Sequence, residues 1–220
     1  MRIHLITTPN RDIIPFDYQP KLVGTLNKWL GRNNDEHGNL SLYSFSWLNN
    51  GQITGNGFRF PNGAVWSISF YDEYRIKDII RTIRESPDLF CGMFVTDVTI
   101  EETPDLSNRN RFLLSSPIHI QRSDGKNTRH FTFKDTEASN LMKETLERKM
   151  QAAGLDSDET LKIKFDLSYQ QRKEKLVKYR NIKIKASMCP IIIEGTNVTK
   201  QFAWNVGVGN STGIGFGSIY

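Results

Sequence analysis

The sequence predicts an α+β fold of two similar halves in tandem, and three observations predict it. The order strand, helix, strands, helix, strand is read once over residues 1–103 and again over 110–220. A polar stretch carrying Pro104, residues 101–110, separates the two readings, and the chain runs out in a glycine-rich stretch, 207–220, that leads into a short last strand. With 220 residues, 38% apolar and 24% charged, the chain has material for one large domain or two small ones.

In the first half, residues 3–8 read as a strand closed by Pro9 and Asn10. Leu22, Val23, Leu26, Trp29 and Leu30 recur at helical spacing over 20–30, with Pro20 suited to the first turn and Gly31 to the C-terminal cap. A polar loop, 32–39, follows. Over 40–48, Leu42, Ser44, Ser46 and Leu48 alternate with Tyr43, Phe45 and Trp47, the pattern of a buried, aromatic-rich strand. Residues 58–60 and 64–71 read as a hairpin across Pro61-Asn62-Gly63. Asp72 caps a second helix through Ile76, Ile79, Ile80 and Ile83, stopped by Pro87, and 90–100 supplies a further strand. This is the split βαβ, or ferredoxin-like, order that RNA-recognition domains also use.

The second half repeats it. Residues 112–121 read as a strand interrupted at Ser115-Ser116-Pro117, and Ser123-Asp124-Gly125 turns the chain into 130–133. A long helix covers 136–153, with Leu141, Met142, Leu146 and Met150 inward and Gly154 as its cap. Strands follow at 161–167, 177–187 and 190–194, then a short helix at 198–206, the glycine-rich stretch and a last strand over 214–220. The halves share no recognisable sequence, so the duplication rests on element order alone.

The net charge is +5, but residues 162–185 hold nine basic side chains against two acidic ones, which leaves about −2 for the rest. Such asymmetry is the footprint of a face that binds a polyanion. Within it, Arg172, Lys173 and Lys175 are expected in the turn between two strands, followed by Lys178 and Arg180, with Tyr169 and Tyr179 placed to stack on bases. Cys91 and Cys189 are isolated, which gives neither a zinc ribbon nor a disulfide framework, and no His-Glu-x-x-His or calcium-loop pattern appears. The start of the chain is too short and polar for a signal peptide, and no apolar run reaches membrane-spanning length, so a soluble cytoplasmic protein is expected, with neither a membrane nor a cofactor as partner.

Five glycines in 207–220 alternate with Val208, Ile214 and Phe216, so that backbone N–H groups of Gly209, Asn210, Ser211, Gly213 and Gly215 are free of Cβ obstruction and expected to face a phosphate. Thr212 stands where a dinucleotide-binding fingerprint needs glycine, and no Gly-Lys-Ser/Thr follows, so neither of the common phosphate loops is met. The spacing Gly207-x-Gly209, Asn210-Ser211, Gly215-Phe216-Gly217 instead resembles the C-terminal signature of the repeat-associated RNA-binding superfamily of CRISPR systems, in particular the endoribonucleases that cut CRISPR precursor RNA within its repeats. Met1-Arg2-Ile3, Leu22-x-Gly24, Tyr43-Ser44-Phe45-Ser46 and Ser116-Pro117-Ile118 echo it in order along the whole chain.

That resemblance implies tandem ferredoxin-like domains, here 1–103 and 110–220, and a repeat-cleaving ribonuclease. RNA carries its own nucleophile, the 2′-hydroxyl, so metal-free cleavage needs a base, an acid and a stabiliser of the phosphorane, and leaves a 2′,3′-cyclic phosphate and a 5′-hydroxyl. Of the four histidines, His4, His119 and His130 fall in or at the start of predicted strands, as packed or solvated imidazoles. His37, in the 32–39 loop beside Gly38, falls where the family places its catalytic histidine, and its unperturbed pKa near neutrality suits an acid or a base. Several members of the family pair that histidine with a tyrosine of the first helix and a lysine just after the loop; here Asn27 and Ser41 stand at those positions. Lys28, Arg32 or a basic residue of the second half are the alternative phosphorane stabilisers, and spacing does not choose among them. CRISPR repeat RNA is the partner this implies, with a homodimer and effector-complex subunits as further ones. Two other readings stand beside it: a non-catalytic RNA-binding subunit of an effector complex, and a generic RNA-recognition domain, whose aromatic submotif is absent here.

Overall fold

A computed structural model describes residues 1–31, 40–123, 125 and 127–220. The first half is built on β1 (Arg2–Thr7), α1 (Gln19–Leu30), β2 (Tyr43–Phe45), β3 (Gln52–Thr54), β4 (Gly57–Arg59), β5 (Val65–Phe70), α2 (Glu73–Glu85) and β6 (Val95–Glu101). Four of these strands form one antiparallel sheet in the order β2-β5-β1-β6. Taken as the first, second, third and fourth strands of a ferredoxin-like unit, they lie second, third, first, fourth. α1 and α2 pack on the sheet through Leu22, Leu26, Trp29, Ile76, Ile79 and Ile83, in one core with Ile3, Leu5, Phe45, Trp66 and Ile68. The caps fall where the sequence puts them: Asp72 accepts from the Tyr74 N–H, and Gly31 ends α1 at φ 83°.

The second half comprises β7 (Arg111–Phe112), β8 (Ile120–Ser123), β9 (Thr128–Phe131), α3 (Ala138–Ala152), β10 (Lys162–Phe165), β11 (Lys173–Tyr179), β12 (Ile182–Met188), β13 (Ile191–Glu194) and α4 (Asn197–Val206). Its sheet runs β10-β13-β7, and Leu114, just past β7, bridges to Ile219. The order is again second, third, first, fourth, so the two halves are tandem ferredoxin-like units. Each carries a two-stranded hairpin between its second and third core strands, β3–β4 in one and β11–β12 in the other. A separate core of Phe112, Ile120, Met142, Leu146, Ile163, Ile191, Phe202 and Val206 holds this half together.

Four sequence expectations are corrected. The hairpin is β3–β4, turning at Gly55-Asn56, and not 58–60 with 64–71: β5 pairs with β1 and β2, so Pro61-Asn62-Gly63 is a crossing connection. The 40–48 strand shrinks to Tyr43–Phe45, and it is covered on both sides, because Ser44 and Ser46 are buried along with Tyr43 and Phe45. The single strand over 177–187 is two, β11 and β12, paired across Arg180-Asn181. The last strand, 214–220, is not extended: Thr212–Ile214 is a short 3₁₀ turn, and positive φ at Gly215 (90°) and Gly217 (68°) leaves only the bridge at Ile219.

Candidate functional site

The glycine-rich segment lies in the seam between the halves. α4 stops at Gly207, whose φ of 72° turns the chain back, and Lys149 of α3 clamps the turn from below by donating to Val206 O (2.9 Å) and Thr212 Oγ1 (2.8 Å). The first half meets the segment through β2 and the residues just past it: Tyr43 Oη donates to Gly213 O (3.3 Å) and Trp47 Nε1 to Gly215 O (2.8 Å), while Ser44 Oγ donates to Asn205 O near the end of α4 (3.0 Å). At Gly213 the approach is so close that a Cβ would collide with Ser41 Oγ.

From the other side the segment is read by residues before and along β8. Asn210 N–H donates to His119 O (2.7 Å), and Asn210 Oδ1 accepts from the Gln121 N–H (2.9 Å). Ser211, in the left-handed region at φ 63°, sets its Oγ 3.1 Å from His119 Nδ1, and His119 Nε2 lies 3.1 Å from His130 Nδ1. The two imidazoles stack with centroids 5.1 Å apart, and Phe216 covers His119 at 5.4 Å. Burial, then the neighbouring His130, pushes His119 down to about 4, so it is neutral at physiological pH; burial and then Lys185 also lower His130.

The basic hairpin β11–β12 packs one face on this assembly. Val177, Ile184 and Ala186 cover Phe216, and the Lys175 ammonium sits 4.3 Å from the centre of the Trp47 ring. By register, Lys173, Lys175, Val177 and Tyr179 share that face, while Glu174, Leu176, Lys178, Lys183 and Lys185 share the other. Glu174 there accepts from Lys134 Nζ (2.8 Å), Lys185 Nζ (2.9 Å) and Thr132 Oγ1 (2.9 Å), and these bonds, Lys134 first, hold its carboxyl down at about 2. Lys178 reaches Asp17 of the first half at 4.0 Å. Among the described residues Lys173, Arg180 and Lys183 make no ion pair.

The structure sorts the sequence-predicted residues as follows. His37 and Arg32 lie outside the described residues. Ser41, at the C-terminal flank of their loop, sits against Gly213, whereas Lys28 holds its amine at the end of α2, donating to Ser86 Oγ (3.1 Å) and Asp88 O (2.7 Å). Only Arg172 stays in a connection, donating to Tyr169 O; Lys173 and Lys175 belong to β11, and Arg180 occupies the turn. The expected phosphate cradle is filled in part by the protein itself. Gly209, Gly213 and Gly215 are buried, and the N–H groups of Asn210 and Gly215 bond to His119 O and Thr212 O, because the glycines admit neighbouring protein rather than solvent; Asn210 and Ser211 are half-buried. Among the described residues no three His, Cys, Asp or Glu side chains converge, and no helix is long and apolar enough to cross a membrane.

Sequence reading missed the His119–His130 pair. The signal was Ser123-Asp124-Gly125 as a turn pattern in the sequence: a hairpin that pairs Ser123 with Thr128 sets Gln121 opposite His130, and therefore brings His119 to the diagonal position.

Two ferredoxin-like units sealed by a buried glycine-rich segment define a class with known three-dimensional members. A structure described as the characterization of a Cas6-related gene from Pyrococcus furiosus superposes with a TM-score of 0.85 at 21% identity, covering 100% of this chain and 97% of that one. An RAMP protein binding different RNA substrates gives 0.84 at 21% identity (100% and 98%), and a Cas6 product complex 0.65 at 12% (99% and 98%). The family model "CRISPR associated protein Cas6, C-terminal" matches residues 101–220, more than half of the chain. The chain belongs to the Cas6 family, whose work is the processing of CRISPR repeat RNA. No curated protein matches its sequence.

Proposed function

We propose that this chain is an endoribonuclease that cuts CRISPR precursor RNA once within each repeat, without a divalent ion, in two domains spanning 1–103 and 110–220. The observation that carries the reading is the docking of the family's glycine-rich segment against the flank of the 32–39 loop, at Gly213 and Ser41. The substrate 2′-oxygen attacks the adjacent phosphorus, the bond to the 5′-oxygen breaks, the 2′ proton passes to a base and the leaving oxygen takes a proton from an acid. His37 fills one of these roles, and Ser41 donates a hydrogen bond to the phosphate. Product complexes of other Cas6 proteins and a RAMP protein with RNA substrates support RNA as the ligand. The basic hairpin holds the strand, and the mature guide RNA, with its repeat-derived 5′ handle, passes to an effector complex for antiviral defence in the cytoplasm.

The test is purified protein on the repeat RNA of its own genome, in chelator, with end-group analysis. Cleavage leaving a 2′,3′-cyclic phosphate is expected, and His37→Ala should slow it by about 10²–10⁴ while repeat binding stays within about threefold. A second reading, a non-catalytic RNA-binding subunit, is favoured by Asn27 and Ser41 standing where other members carry tyrosine and lysine. Tight binding with no cleavage by the unmutated chain establishes that reading instead.

A further inference from the structure

The proposed function leaves one titratable cluster unused: the chain of hydrogen bonds that runs from the glycine-rich segment through two imidazoles to the surface. Ser211 Oγ, His119 and His130 are linked at 3.1 Å and 3.1 Å, His119 is buried, and His130 is partly exposed with its Nε2 left as the outer end of the chain. Donor counting permits only two arrangements of the protons when both rings are neutral. In one, Ser211 O–H donates to His119 Nδ1, His119 Nε2–H donates to His130, and His130 Nε2–H points outward. In the other, His130 Nδ1–H donates to His119 Nε2, His119 Nδ1–H donates to Ser211 Oγ, and the serine O–H is left to donate to another acceptor.

Protonating His130 removes the choice. An imidazolium carries N–H on both nitrogens, so His130 must donate to His119, His119 must donate to Ser211, and the Ser211 hydroxyl becomes a free donor on the glycine-rich segment. The groups facing His130 decide what supplies that charge. His119 stands behind it from the β8 side. Lys185 of β12 stands beside it and is held by Glu174 of β11, which also holds Lys134. Arg129 of its own strand is turned to Asp135 and Glu137. Among the described residues no carboxylate is bonded to His130, so an incoming anion is what would hold its proton.

We infer that His130 is a contact for a backbone phosphate of the bound RNA, and that His119 is a positioning residue that converts this contact into a hydroxyl donor at Ser211 for a second phosphate of the same strand. The inference rests on the proposed RNA-binding reading and adds a site to it. RNA bound along the outer face of the hairpin, where Lys183 and Lys185 stand, meets His130 first, and the proton order then reaches the glycine-rich segment.

The test is repeat-RNA affinity between pH 5.5 and 7.5, on a His37→Ala background so that the RNA stays whole. One proton taken up on binding tightens affinity by up to about tenfold per pH unit as pH falls, and His130→Gln, which keeps a hydrogen-bonding amide but holds no proton, should flatten that component to within about twofold. Ser211→Ala should weaken binding about three- to tenfold, and the double variant should lose no more than the worse of the two, because the second contact depends on the first. An unchanged pH slope in His130→Gln overturns the phosphate contact. Additive losses, with the slope flattened, overturn the relay through His119. If the His37→Ala chain binds no repeat RNA at any pH, the RNA-binding reading and this inference fall together.

Discussion

Lys149 shows how much one buried side chain decides here. Its ammonium is buried, with Val206 O and Thr212 Oγ1 as acceptors, and burial pushes its pKa down to about 7. An unfolded lysine keeps its proton to about 10.4, so between about 7 and that value the unfolded state holds the extra proton. Stability contributed by this group therefore rises with pH across that window and is flat below it. Lys149→Met should lower stability by about 1–3 kcal/mol at pH 7, through two acceptors left without a donor, and should erase the rise between pH 7 and 10; denaturant melts across that range check both. None of this was legible in the sequence. Helical spacing places Lys149 beside Met150 on α3 but says nothing of which carbonyl it meets. His37 is the reverse case, since its position was read from family spacing and a loop, and not from any contact.

Among the elements, the basic hairpin is the one whose sequence reading was half right. Its charge was plain and its shape was not, because the two-residue turn has Arg180 at φ 53°, where glycine or asparagine is the usual signal, so 177–187 read as one strand. The true register separates the cations by task. Lys175 lies half-buried over Trp47, and Lys185 and Lys134 are committed to Glu174, while Arg180 and Lys183 are exposed and make no ion pair among the described residues. Replacing Arg180 and Lys183 by alanine should each flatten the slope of log affinity against log salt by about 0.7–0.9. Lys175→Ala should instead lower stability by about 0.5–1 kcal/mol through the lost ring contact. Salt titrations of repeat binding, paired with melting curves, separate the two classes.

At the scale of the molecule, the repeated element order proved sound where single boundaries did not. Hydrophobic periodicity is set by the core face, which both halves share, so second-third-first-fourth strand order emerges twice. The seam between the halves follows from long-range pairing that no local pattern encodes. Arg2 is its centre: the buried guanidinium donates to Ser69 Oγ (2.6 Å), Trp204 O (3.0 Å) and Ile219 O (2.7 Å) and lies 3.6 Å from the centre of the Trp204 ring. Arg2→Leu should lower stability by about 2–3 kcal/mol, a fall in melting temperature of roughly 4–12 °C, and calorimetry should show the halves melting apart instead of together.

That same guanidinium imposes an order in time. Its acceptors lie in both halves, at Ser69 in one and at Trp204 and Ile219 in the other, the last of them 217 positions along the chain, so until the halves meet the charge stays in water, too costly to bury alone. The cleft therefore closes late in folding, after the sheet that carries Ile219 has formed, and a chain trapped before that step holds two lobes with an open seam.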